Sequence, residues 1–513
     1  MERRANGERP LAALLAAVAC VLAAGPARSA PAPAKRPNIL YILTDDLDRT
    51  EMSVMPRARA LIGARGATFR NFFVSVSLCC PSRSTCLRGQ YSHNTGVETN
   101  GGFNGGFETA HARGLEQSTV ATWLHDAGYR TALIGKYLNG YPNTVSVGYV
   151  PPGWDEWDSA SQGNPYSEFN YTLNENGTQV AYGSAPSDYG TDVYARKAAT
   201  FITAAASEGR PFFVYLAVYA PHQPATPAPR DANLFPGARA PRTPSWNEAD
   251  VSDKPQWVRG APLMGPAVIR GVDALYRRRI QSLQAVDRAI AMLVATLREN
   301  HQLRDTYIFF TSDNGFHLGQ HRLPKGKQTA YEEDIHVPLL VRGPGVAART
   351  VVSPLTGNVD LAPTFADLAG AAIPSFVDGR SLAPLLHPRA QVSRAWRRAY
   401  LVEHWRENDL TEPTARGDAP LEPPDQDEPR PAVRRSRAGA SIIPEYHGIR
   451  THRHLYVEYD TGERELYDLR RDPAELHNIA ASARHRLVQR LANRLARLKT
   501  CQAAGCRDAE AQP

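Results

Sequence analysis

Four short apolar runs in this chain each stop abruptly at charged or hydrogen-bonding residues. Asn38-Ile-Leu-Tyr-Ile-Leu43 runs into Thr44-Asp45-Asp46, and Thr131-Ala-Leu-Ile134 into Gly135-Lys136. Phe212-Phe-Val-Tyr-Leu-Ala-Val218 runs into Ala220-Pro221-His222, and Tyr307-Ile-Phe-Phe310 into Thr311-Ser312-Asp313-Asn314. Runs this short and this apolar are strands buried on both faces, the pattern of a parallel sheet. Amphipathic helical segments lie between them. The clearest places Leu283, Val286, Ile290, Leu293, Val294 and Leu297 on one face. The predicted fold is therefore α/β, with a mostly parallel sheet flanked by helices. Such sheets bind ligands beyond the carboxyl ends of their strands. Asp45-Asp46, Lys136, His222 and Asp313-Asn314 should then converge on one site.

The remaining chain sorts around that sheet. Arg3, Arg4 and Arg9 precede an apolar run at Leu11–Ala24, about 14 residues and too short to span a bilayer. With small residues near Ser29 this reads as an export signal over 1–29, which predicts a secreted or periplasmic protein without stable membrane insertion. The leader's four Arg and two Glu account for +2 of the formal +7, leaving +5 on scattered residues. That mild balance, without any nucleic-acid motif, excludes nucleic acid as the partner. A catalytic region is predicted over 36–395, with a helix near Asp360–Leu368 after the apolar run Val337–Val341. A smaller antiparallel subdomain follows over 396–500. It carries a disordered Pro- and charge-rich insertion at about 407–437, strand-like Leu455–Val457 and Glu465–Tyr467, and a basic helix from His485 to Leu498. Residues 501–513 read as a tail in which Cys501 and Cys506 could pair.

Three more cysteines, Cys79, Cys80 and Cys86, crowd into one stretch that has neither a disulfide partner set nor zinc spacing. Pro81 suits a first helical turn, which puts Cys79 at a helix N-terminus where backbone N–H groups favour an anion. Arg83 adds a planar cation. The segment Cys79-Cys80-Pro81-Ser82-Arg83 resembles the Cys-x-Pro-Ser-Arg signature of the type I sulfatases. In that family the first Cys is oxidised to formylglycine by a formylglycine-generating enzyme. Leu87 and Gly89 continue the pattern, while Arg88 stands where Thr is usual. The resemblance runs from about Arg36 to Ala480 and implies an alkaline-phosphatase-like fold.

It also implies roles. Asp45, Asp46, Asp313 and Asn314 match the metal-binding pairs, with Cys79 in its modified form as a further ligand. Their hard oxygens suit Ca²⁺, with Mg²⁺ as the other choice. Lys136, His222 and Lys327 match the sulfate-binding residues; Lys325 is a rival to Lys327, which the spacing to Tyr331 favours. Together with Cys79 and Arg83 they form the expected catalytic set. Leu138 replaces a His found in many members. Gly135-Lys-Tyr-Leu-Asn139, Ser92-His93-Asn94 and Ser312-Asp-Asn-Gly-Phe-His317 resemble the N-acetylglucosamine-6-sulfatases and heparan endosulfatases. His93, Asn139 and His317, with Gln320, are accordingly expected near the substrate.

The expected activity is hydrolysis of sulfate esters, on an O-sulfated carbohydrate such as 6-sulfated N-acetylglucosamine or on an aryl surrogate. Two other readings use the same residues. A phosphatase or phosphonate hydrolase of the same superfamily shares the sheet and strand-end metals. A catalytically silent glycan-binding protein would leave Cys79 as a thiol.

Overall fold

The computed structural model describes residues 36–387, 396–406 and 443–512. The predicted leader, the 407–437 insertion and the junction at 395 lie outside these residues. The larger sheet has ten strands: β1 (Asn38–Thr44), β2 (Ala67–Phe69), β3 (Arg130–Gly135), β4 (Glu156–Gly163), β5 (Tyr171–Glu175), β6 (Thr178–Tyr182), β7 (Phe212–Ala217), β8 (Thr306–Ser312), β9 (Leu339–Arg342) and β10 (Thr350–Val352). Their spatial order is β10-β2-β9-β8-β1-β7-β3-β4-β5-β6. The central five, β8-β1-β7-β3-β4, are parallel. Strand β9 and the β4-β5-β6 meander are antiparallel additions.

The pleat of β1 explains why its sequence is apolar throughout. Ile39, Tyr41 and Leu43 enter one core, Leu40 and Ile42 the other. The second core is closed by helix α2 (Gly190–Ser207) and helix α3 (Pro266–Glu299), whose Leu283–Leu297 stripe is buried as its 3.6-residue period requires. Across the sheet lie α1 (Cys79–Arg88) and α4 (Leu361–Ala369). Nine of the ten α1 residues, Cys79 to Leu87, are buried, so this helix has no solvent face.

Register sets the strand ends side by side. Leu43 pairs with Ala217, Gly135 with Ala217, and Thr44 with Ser312. The polar residues that follow therefore leave the sheet at one edge. Gly135 is required there: its φ is +107°, and a Cβ would meet the Ala217 carbonyl oxygen at 1.9 Å.

The smaller sheet is antiparallel, in the order β11 (Ala399–His404), β12 (Tyr446–Thr451), β13 (His454–Tyr459) and β14 (Arg464–Asp468). It is backed by α5 (His485–Leu498), the predicted basic helix. Leu401, Leu455 and Leu495 belong to the same apolar cluster as Tyr41 and Phe365, so the two sheets share one core. The expected tail is a correction. Cys501 and Cys506 form a disulfide, and α6 (Ala504–Ala511) folds back. Its fully buried Glu510 sits 2.8 Å from Arg397 Nε, and Tyr91 donates to it.

Candidate active site

The loop after β1 turns sharply. Asp46 takes a left-handed backbone, φ +65°, which Asp tolerates better than most residues. Its carbonyl accepts from the fully buried Arg279 of α3, which also pairs with Glu51 at 2.7 Å. The neighbouring strand end is tied in by Leu47 N donating to Ser312 Oγ at 2.8 Å. Both aspartates are thus presented by a turn that other elements hold in place.

Cys79 is the first residue of α1 and is fully buried. Its thiol stands 3.3 Å from Asp45 Oδ1, and Lys327 Nζ lies 2.9 Å from the sulfur. Burial and the Asp45 charge push the thiol far above its ordinary range, so it stays protonated at neutral pH. A protonated thiol is a poor nucleophile.

Charges surround this sulfur in alternation. Lys136 Nζ donates to Asp45 Oδ2 at 2.8 Å, and Lys327 Nζ to Asp46 Oδ1 at 2.9 Å. Arg83 lies one turn along α1 from Cys79. Its Nε and Nη2 both reach Asp313 Oδ2, at 2.9 and 2.8 Å, and its Nη1 donates to the Lys136 carbonyl. Asp313 Oδ1 in turn accepts from the backbone N–H of Asp46 and of Asn314. Burial opposes ionisation of Asp45, but Lys136, His222 and Arg83 outweigh it and lower its pKa from the ordinary value. Asp313 moves the other way, raised by burial and by the Asp45 charge.

Two buried oxygens here lack any hydrogen-bond donor, Asp46 Oδ2 and Asn314 Oδ1. His222 Nε2 is 3.6 Å from the first. Its Nδ1 donates to the Gln223 carbonyl at 2.7 Å, which turns Nε2 toward the aspartates. One ligand atom each from Asp45, Asp46, Cys79 and His222 lies within 4.8 Å of the others. Orphaned carboxylate and amide oxygens in a buried acidic cluster fit a hard divalent cation, as the sequence leads one to expect. His222 joins that cluster, and both Asp45 and Asp313 also accept hydrogen bonds on each oxygen.

The structure thus brings together Asp45, Asp46, Cys79, Arg83, Lys136, His222, Asp313, Asn314 and Lys327. Lys325 points elsewhere, to Gln223 Oε1 at 2.9 Å. Asn139 lines a small cleft with Lys136 and Tyr166. His317 is bound through Nδ1 to Asp334, which also accepts from Thr329 and so orders the loop that carries Lys327. Gln320 turns back to accept from the Leu318 N–H.

His93 requires a correction. Its Nδ1 meets Glu403 at 2.8 Å and its Nε2 the Cys501 carbonyl at 2.9 Å. Both ring nitrogens are spent joining the segment just before α6 and strand β11 to the main body, a structural duty. Sequence reasoning missed Tyr166, whose ring centre is 4.5 Å from that of His222 and 4.9 Å from Lys136 Nζ. No motif marks it, because it stands on the short 3-10 turn Pro165–Ser167 between β4 and β5, strands whose sequence alternates only weakly.

Similarity to known proteins follows the same span. The sulfatase family model matches residues 37–371. The extracellular sulfatase Sulf-1 homolog of Caenorhabditis elegans is 39% identical over 377 residues, 71% of this chain and 52% of that protein. The chain thus spans about half the length of that longer relative. The N-acetylglucosamine-6-sulfatase of Capra hircus is 36% identical over 490 residues, covering 92% of this chain and 85% of the goat protein. Among solved structures, one holding its substrate D-glucosamine-2-N,6-O-disulfate superposes with a TM-score of 0.72 at 25% identity, over 93% of this chain and 99% of that one. Together with the Cys79 motif and the strand-end site, these likenesses establish that the chain belongs to the sulfatase family.

Proposed function

We propose that this chain is an exported sulfuric ester hydrolase acting on O-sulfated carbohydrate, with aryl sulfates as surrogates, and that Cys79 is converted to formylglycine. The observation that carries this reading is the charge pattern around Cys79. Three carboxylates, Asp45, Asp46 and Asp313, meet three cations, Arg83, Lys136 and Lys327, in a buried cluster. Such a site is balanced before anything binds. It stays balanced if a divalent cation arrives together with two negative charges, one from a sulfate ester and one from an ionised nucleophile.

Asp45, Asp46, Asp313 and Asn314 would hold that cation, Ca²⁺ in this reading. Bound there, the cation supplies Lewis acidity, and formylglycine supplies as its hydrate the nucleophilic oxygen that a protonated thiol lacks. The chain's own residues do the rest. Lys136 and Lys327 present ammonium groups where sulfate charge must be accommodated. Arg83 fixes Asp313 and the start of α1. His222, with Nδ1 anchored on a carbonyl, offers Nε2 for a proton on the departing sugar oxygen. Tyr166 packs against both His222 and Lys136.

The goat relative's name and the solved neighbour's glucosamine disulfate support a 6-O-sulfated glucosamine as substrate. The extracellular naming of the nematode relative supports export to the cell exterior or periplasm. Among the described residues no helix is long and apolar enough to cross a membrane. The test is peptide mass spectrometry across Leu78–Arg83 with a 4-nitrophenyl sulfate assay, with and without chelator. We expect a trappable aldehyde at residue 79 and cation-dependent turnover. Unmodified Cys79 from a host carrying the maturation enzyme, with no turnover, overturns the reading and favours the silent glycan-binding protein.

A further inference from the structure

We propose that His321, Glu333 and Glu475 form a second cation site, separate from the one around Asp46, that takes a transition metal of the Zn²⁺ class. One ligand atom from each residue lies within 4.8 Å of the other two. With metal–ligand bonds of about 2.0–2.6 Å, ligands on opposite sides of one ion stand roughly 4–5 Å apart. The three side chains therefore need little movement to share an ion.

Hydrogen bonding supports this independently of spacing. His321 Nε2, Glu333 Oε2 and Glu475 Oε1 are all buried without a hydrogen-bond partner. The remaining polar atoms of the same side chains are used. His321 Nδ1 donates to Glu248 Oε2 at 2.7 Å, Glu333 Oε1 accepts from Ser245 Oγ at 3.3 Å, and Glu475 Oε2 accepts from Glu332 N at 3.0 Å. Each residue is held from behind and directs an unsatisfied atom forward. A buried acceptor left unpaired loses its hydration with nothing in return, so three facing one another call for a shared partner.

The chemistry of the set selects the ion. The Glu248 contact fixes the Nδ1–H tautomer, so Nε2 carries the lone pair, the usual arrangement behind a metal-bound imidazole. Glu248 is itself paired with Lys254 at 3.2 Å. The imidazole stacks on Tyr331, with ring centres 4.0 Å apart, and its side chain is only 1% exposed. One neutral imidazole and two carboxylates suit Zn²⁺, Co²⁺ or Ni²⁺ better than Ca²⁺ or Mg²⁺. Two neighbouring segments, the loop before Lys327 and the turn after Tyr331, meet there with the loop after β14, which lies more than a hundred residues further along the chain. No sequence spacing could reveal such a site. An ion in it would tie the smaller sheet to the segment that positions Lys327.

The test uses the full chain, tag-free and stripped with chelator, loaded with Co²⁺ and then titrated with Zn²⁺. We expect one equivalent of Co²⁺ with visible d–d bands, displaced by Zn²⁺. Asp46→Asn should retain it, while His321→Gln and Glu475→Gln should abolish it. Glu248→Gln should weaken binding about 10–100-fold. X-ray absorption of the Co²⁺-loaded wild type, which depends on no variant, should show one imidazole among oxygen ligands. Folded wild type that takes up no Co²⁺ or Zn²⁺ at micromolar concentration overturns the proposal. So does uptake unchanged by Glu475→Gln, or a spectrum with no imidazole. None of these results bears on turnover at Cys79.

Discussion

Replacing His222 by Gln separates proton donation from charge balance. In the wild type Nδ1 is committed to the Gln223 carbonyl at 2.7 Å, and Nε2 faces Asp46 Oδ2 at 3.6 Å. A glutamine amide can still donate to that carbonyl, but it cannot release a proton. A sugar alkoxide is a poor leaving group and needs that proton, whereas 4-nitrophenolate leaves without it. For a glucosamine 6-sulfate the loss should be that of a general acid, about 10²–10⁴ in kcat/KM, or roughly 3–5 kcal/mol of barrier. For 4-nitrophenyl sulfate it should be one charge-assisted hydrogen bond, about 1.5 kcal/mol or roughly tenfold. The assay compares kcat/KM for both esters on one preparation, normalised to the aldehyde content at residue 79. Equal losses on the two esters would refute the argument. His222 would then only stabilise charge, and protonation would fall to Lys327.

Lys136→Met removes a cation that both esters need, so kcat/KM should fall on each by about 10²–10³, with no dependence on the leaving group; the same two assays decide it. Arg397→Met strands the Asp360 charge and leaves Glu510 with Arg380 as its remaining cation; Arg397, Asp360 and Glu510 are fully buried and joined at 2.5–2.8 Å. It should cost about 3–5 kcal/mol, read as a lower midpoint in urea, and a variant as stable as wild type would contradict the burial argument. His93 is opposed by burial, but its pairing with Glu403 prevails and lifts its pKa to about 9. Protonation therefore favours the folded state. The stability advantage of wild type over His93→Gln should be complete below about pH 6.5 and vanish as pH rises through about 9. A pH-independent difference in unfolding free energy would count against the ion pair.

The sheet and its chemistry were legible because buried parallel strands write themselves as apolar runs, and their ends announce where polarity begins. Asp45, Lys136, His222 and Asp313 were all found by that rule. The antiparallel β4-β5-β6 meander was not, since Gln162, Gln179 and Tyr182 alternate weakly with short turns between them. Arg279 was hidden as well: on sequence it is one more basic residue of a long helix, and only packing brings it to the Asp46 carbonyl. His93 failed for the opposite reason. Its neighbours carry a family-like pattern, yet the partners that occupy its ring, Glu403 and Cys501, arrive from the far end of the chain. Contacts of long sequence separation leave no local trace, and Tyr166 and the His321 cluster share that invisibility.

The burial of α1 also dictates an order of events. Cys79 has no exposed surface, and the helix it begins is enclosed along almost its whole length. No second protein can reach the sulfur once Asp45 and Lys327 have closed over it. Any enzyme that oxidises this cysteine must work while the residues that bury it are still unfolded, so maturation and folding run as a race. If Cys79 is converted as proposed above, the rate at which β8 docks beside β1 sets the fraction of molecules that is ever active, and a substitution that speeds docking would yield a stable protein with fewer working sites.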